Sequence, residues 1–171
     1  MNKIIGLFSL MTVLFALGGC REEGDRRVHH EEYVPELRRF DMIDSYDVDT
    51  ATSNAALRLS PYLYDGLFEV FWTVNSLEDY RVSFKINDRD TLTNSISIGS
   101  TICGAGLTCD QSGHWVCEYT SDFYMNCDTS VRDVDISSLF NTVPKNLFML
   151  LEVCDTNSNY CEFDSYPVTM E

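Results

Sequence analysis

Apolar and polar residues alternate with a period of two in several stretches of the chain, the signature of strands that bury one face. In "YRVSFKIN", Tyr80, Val82, Phe84 and Ile86 share one face, and Arg81, Ser83, Lys85 and Asn87 share the other. "LFEVFWTV" sets Phe68, Val70, Trp72 and Val74 against Glu69 and Thr73, and "LFMLLEVC" groups Leu147, Met149, Leu151 and Val153. Further strands are predicted in "AALRLSPYL", "SISIGSTI", "HWVCEYT", "VRDVDIS" and "YCEFDSYPVT". Turn-rich pieces separate them: "YDG" at 64–66, "NDRD" at 87–90, "DQSG" at 110–113 and "DTNSN" at 155–159. No long helical periodicity runs through this region. Short strands at this spacing over residues 54–171 predict one all-β domain, an antiparallel β-sandwich.

The N-terminal pattern is different. A positive start at Met1–Lys3 leads into an apolar run, Ile4–Leu17, interrupted only by Gly6, Ser9 and Thr12. Gly18 and Gly19 follow, then Cys20 and a burst of charge in "REEGDRR". The run is shorter than the roughly 20 apolar residues that a membrane-spanning helix needs. Its three zones are those of a secretory signal peptide over residues 1–19.

The motif Leu17-Gly18-Gly19-Cys20 resembles a bacterial lipobox. The resemblance implies a lipoprotein: Cys20 becomes the first mature residue and carries a diacylglycerol on its sulfur and an acyl chain such as palmitate on its amine. Two or more chains suffice for stable anchoring, since each buried methylene contributes about 0.8 kcal/mol. The same resemblance makes Arg21, in the sorting position, a pointer to the outer membrane of a Gram-negative envelope, periplasmic or surface-facing.

Cysteine counting agrees with that assignment. Of the seven cysteines, setting Cys20 aside leaves six: Cys103, Cys109, Cys117, Cys127, Cys154 and Cys161. An even set in an exported chain predicts disulfides. Cys154–Cys161 brackets a turn between two predicted strands and is expected to staple a hairpin. For the others, 103–109 with 117–127 and the nested 109–117 within 103–127 both remain open. No Cys-x-x-Cys occurs, so neither a zinc site nor a thioredoxin-like redox pair is predicted. No metal or cofactor is expected.

The formal net charge is −15, and loss of Lys3 with the leader makes the remainder more acidic. That balance argues against binding nucleic acid or an anionic membrane by electrostatics. Residues 20–53 are rich in charge and poor in large apolar side chains, so they read as a tether that holds the domain away from the bilayer. Within it "PELRRFDMI" is compatible with a short helix, Pro35 suiting a first turn.

The predicted domain also resembles, loosely, a fibronectin type III or immunoglobulin-like sandwich, over 54–90 and 131–171. "VPKNLF" at 143–148 is similar to the turn before the penultimate strand in that family. The position whose aromatic hydroxyl closes that corner is Phe148, which has none. Residues 91–130 do not match and read as a cysteine-rich insertion. The resemblance implies a fold and no activity.

The insertion, "CGAGLTCDQSGHWVCEYTSDFYMNC", carries His114, Trp115, Tyr119, Phe123 and Tyr124. Aromatics on a disulfide-braced loop form a platform for a glycan or a protein partner; alternatively they cover the disulfides and complete the core. Asp110, Ser112 and His114 match a hydrolytic triad by type, but without a nucleophile elbow. "HHEE" at 29–32 has metal-ligating groups on an unorganised tether. Asp41, Asp44, Asp47 and Asp49 suggest calcium but miss the EF-hand spacing, and "NDRD" reads first as a turn. The sequence therefore predicts a lipid-anchored envelope protein with a non-catalytic binding or interaction module. A structural accessory of a pilus or secretion assembly, or a hydrolytic enzyme acting through Ser112 and His114, are the alternatives.

Overall fold

The computed structural model describes residues 34–53, 55–128 and 132–171. The leader 1–19, Cys20 and the tether up to residue 33 lie outside them. The described chain is an all-β sandwich of two five-stranded sheets. One sheet contains, in spatial order, β1 (Glu36–Ile43), β3 (Leu67–Asn75), β6 (Ser112–Tyr119), β7 (Tyr124–Cys127) and β8 (Val134–Asp135). The other contains β2 (Leu57–Leu59), β10 (Cys161–Met170), β9 (Lys145–Asp155), β4 (Tyr80–Asn87) and β5 (Ile96–Cys103). All pairings are antiparallel except β2 with β10.

This order is immunoglobulin-like. The run β10-β9-β4-β5 stands where strands G, F, C and C′ stand in that fold, and β1-β3-β6 where A, B and E stand. It departs beside β6. The neighbour there is β7, which follows β6 by a tight turn, whereas strand D precedes E.

The alternation in the sequence builds the core directly. Phe68, Val70, Trp72 and Val74 of β3 face Tyr80, Val82, Phe84 and Ile86 of β4 and Leu147, Met149, Leu151 and Val153 of β9, all buried. Phe84 meets Phe68 at 6.3 Å and Phe40 at 6.4 Å between ring centroids, which ties the two sheets together through tilted and edge-on contacts.

Three expectations are corrected. The folded part begins near Val34, not at residue 54, and "PELRRFDMI" forms a strand rather than a helix. Phe40 and Met42 are its inward positions, and its pairing with β3 runs from Glu36–Asn75 to Ile43–Glu69. Satisfying that sheet edge and burying two large side chains outweighs a local helical preference. The cysteine-rich segment is no insertion either. Residues 91–130 supply β6 and β7 of one sheet and all of β5 in the other, with Trp115, Cys117 and Tyr119 facing inward.

The disulfides are Cys103–Cys109, Cys117–Cys127 and Cys154–Cys161. Cys117 and Cys127 are directly opposite on β6 and β7, and Cys154 and Cys161 directly opposite on β9 and β10. The first option left open by the sequence is thus the one adopted. Closing loops this short stabilises by about 2–3 kcal/mol each in the chain-entropy model.

The register also defines two ends. At the entry end lie the start of β1, the β3–β4 connection and the disulfides Cys103–Cys109 and Cys154–Cys161. At the far end lie the loops after β1, between β2 and β3, and between β6 and β7. Pro144, joined to Val143 by a cis peptide, precedes β9, and Phe148 sits half-buried on the strand face opposite Leu147 and Met149.

Candidate functional site

The five aromatic candidates of the cysteine-rich segment do not form one platform. Strand parity divides them. Trp115 and Tyr119 point inward at 3% and 1% exposure. Trp115 packs edge-on against Trp72 at 4.8 Å. Burial pushes the Tyr119 hydroxyl up to about 12. Phe123 covers the end of the core, 4.6 Å from Phe140, which stacks in turn on Tyr119. These three complete the core, the alternative that the sequence left open. Only His114 and Tyr124 face outward.

His114 belongs to a cluster on the outer face of the β1-β3-β6 sheet. Its ring stacks on Phe71 of β3 at 4.5 Å and 13°, and its Nε2 lies 2.7 Å from Glu69 Oε2. The register explains this: Phe71 is directly opposite His114, and Glu69 is one diagonal step away. The His114 and Glu69 side chains are 44% and 40% exposed, so the pair contributes at most about 1 kcal/mol. Alongside runs a groove of about 590 Å³ lined by Arg39, Asp41, Asp49, Phe71, Ser112 and His114, among others. Arg39 pairs with Asp41 beside it, and the His114 ring is hydrogen-bonded to Glu69.

The triad suggested by Asp110, Ser112 and His114 is not assembled. The His114 ring bonds Glu69, and what Asp110 contributes is its main-chain carbonyl, which accepts the Tyr80 hydroxyl at 2.5 Å. Burial pushes Tyr80 up to about 12.

The aspartates after β1 are organisers of the backbone. Asp44 is buried; its Oδ1 accepts the Tyr46 and Val48 amides at 2.8 and 3.0 Å, and its Oδ2 accepts the Arg58 amide at 2.7 Å. Asp49 accepts the Ala51 amide at 2.8 Å, and Asp41 is held by Arg39. In "NDRD", the Asn87 side-chain amide donates to the carbonyls of Thr91 and Thr93, shaping the loop, and Asp90 accepts the Ser165 hydroxyl at 2.6 Å. Glu152 lies beside Cys154 and Cys161, but both sulfurs are in a disulfide and cannot act as thiolate ligands. "HHEE" at 29–32 lies outside the described residues.

No protein-family model matches the chain, and no curated protein matches it in sequence.

Sequence reading missed Glu69, Phe71 and Arg39, and met Asp41 only as a calcium candidate, because these residues come from strands distant in sequence from His114. A signal was present for one of them. Phe71 is an aromatic on the outward parity of "LFEVFWTV", where a polar residue is the norm.

Proposed function

We propose that this chain is a lipid-anchored protein of the bacterial cell envelope, held through Cys20, whose β-sandwich is a non-catalytic binding or interaction module. One observation carries the reading. The six cysteines of the domain are consumed by three mutual disulfides, so Cys20 is the one cysteine left over, and it stands directly after an apolar leader and two glycines. Three disulfides call for an oxidising compartment, and an odd cysteine in such a compartment calls for a covalent use. Lipidation supplies that use, and Arg21 favours the outer membrane. Binding to a glycan or an envelope protein then rests on groups presented by the rigid strands. Of the original contact residues these are His114 and Tyr124, with Phe71 joining His114.

The test is metabolic labelling with a tagged fatty acid in a bacterial host. The wild-type chain takes up label and fractionates with membranes. Cys20→Ala loses both, while its disulfides and urea midpoint stay unchanged. Label retained by Cys20→Ala, or a domain that unfolds on that substitution, overturns the proposal.

A further inference from the structure

The far end of the sandwich carries an exposed aromatic knob. In the β2–β3 connection "SPYLYDG", Tyr62 is 80% exposed and Tyr64 69%, with Leu63 between them and Leu67 close behind. Large apolar side chains rarely gather on a surface without a use. This group is also held rigidly. Tyr64, Asp65 and Gly66 are consecutive left-handed residues, with φ of 47°, 57° and 77°. The bulky side chain of Tyr64 disfavours that region, and such a conformation persists only where surroundings enforce it. Here the enforcement is visible. The Gly66 amide donates to the Leu63 carbonyl at 2.8 Å, and a Cβ on Gly66 would sit 2.0 Å from the Tyr119 carbonyl oxygen, so the turn is pressed against the end of β6. A main chain already fixed in this way leaves less to order when a partner docks.

Beside the knob lies a recess of about 320 Å³, lined by Tyr64, Leu67 and Val116 together with the carboxylates Asp44, Asp47 and Glu69; Asp47 is the one open to a partner, Asp44 being committed to three main-chain amides and Glu69 to His114. Among the described residues no lysine or arginine lines it. Asp65 adds a further acidic group within the turn itself. An anionic lipid surface or a second copy of this acidic chain meets like charge at this place. A cationic side chain meets carboxylates and the face of a tyrosine.

From these features we infer that the far end is a docking surface for a polypeptide segment that places lysine or arginine next to apolar side chains. The apolar residues pack on Tyr62, Leu63 and Tyr64, and the cation enters the recess. β1 begins at Glu36, at the opposite end of the sandwich from this surface. The inference deepens the binding-module reading but does not depend on the lipid, and Cys20→Ala protein is expected to dock as well as wild type.

The experiment uses the full chain in detergent and three synthetic peptides, alternating lysine–leucine, lysine–serine and glutamate–leucine, measured by fluorescence anisotropy. The lysine–leucine peptide is expected to bind best. The double variant Tyr62→Ser/Tyr64→Ser should weaken it at least tenfold. Asp47→Asn should weaken it several-fold without disturbing the backbone, because Asn tolerates the φ of 60° found there. Leu77→Ser, at an exposed apolar position of the entry end, should change nothing. Urea midpoints of the variants confirm that the fold is kept. The inference is overturned if the lysine–leucine peptide does not bind, if lysine–serine or glutamate–leucine binds equally, or if the tyrosine variant binds like wild type. It is also overturned if anionic vesicles, and not the peptide, bind in a Tyr62-dependent manner.

Discussion

Replacing Asp44 probes the loop that joins β1 to β2 and floors the far-end recess. Its carboxylate accepts three main-chain amides, from Tyr46, Val48 and Arg58, and is shielded from water. Hydrogen bonds to a charged acceptor contribute about 1.5–3 kcal/mol each, so at the lower end Asp44→Ala costs about 4–5 kcal/mol. That is a large part of the 5–15 kcal/mol typical of a domain. Asp44→Asn is the finer instrument. Its single carbonyl oxygen can serve the Tyr46 and Val48 amides, but its NH₂ then faces the Arg58 amide, donor against donor, at a cost of about 2 kcal/mol. Urea unfolding reads both, as a lower midpoint at unchanged m-value. A loss under about 1 kcal/mol for Asp44→Ala would refute the account of this carboxylate as an organiser. Calcium supplies a second check. If Asp41, Asp44, Asp47 and Asp49 held the ion, wild type would gain stability on its addition and Asp44→Asn would not. With the Asp44 oxygens engaged by amides, calcium is expected to leave both midpoints unchanged.

Gly113 faces the Trp72 ring, and a Cβ there would lie 1.9 Å from Cζ2 and 2.3 Å from Cε2, so Gly113→Ala should cost about 1–3 kcal/mol and shift the tryptophan fluorescence; an unchanged urea midpoint contradicts this packing. Tyr80 and Tyr119 hold their protons up to about 12 when folded, against an ordinary value of 10.0, so the stability they contribute is present below the unfolded value and is lost as pH rises from there toward the folded one. Two pK units correspond to at most about 3 kcal/mol per tyrosine, and Tyr119→Phe should remove its share of the alkaline loss in urea midpoints measured across that window.

How far the sequence revealed this molecule depends on how much of each strand's information is local. β3, β4 and β9 were legible because four alternate positions in each carry large apolar side chains. β1 was hidden because its fully buried apolar positions are only Phe40 and Met42, set among Arg38, Arg39 and Asp41, and charge made the segment read as tether. β7 has four residues, too few to show a period. The Cys154–Cys161 pair was legible because a turn joins two long strands. The choice between 103–109 with 117–127 and the nested pairing was not, since spacing permits both and the β6–β7 register, which sets Cys117 opposite Cys127, decides it. The site shows the same limit. His114 was visible as a residue type, but Phe71 and Glu69 reach it through pairing between strands about 45 positions apart, which spacing in one sequence does not encode.

We propose that Cys20 is the lipid-bearing first residue of the mature protein. Mass spectrometry of the N-terminal peptide, from protein purified out of bacterial membranes, reads this. The expected peptide begins at Cys20 and carries a diacylglycerol. A mature chain that begins elsewhere, or one in which Cys20 carries a free thiol, would contradict it.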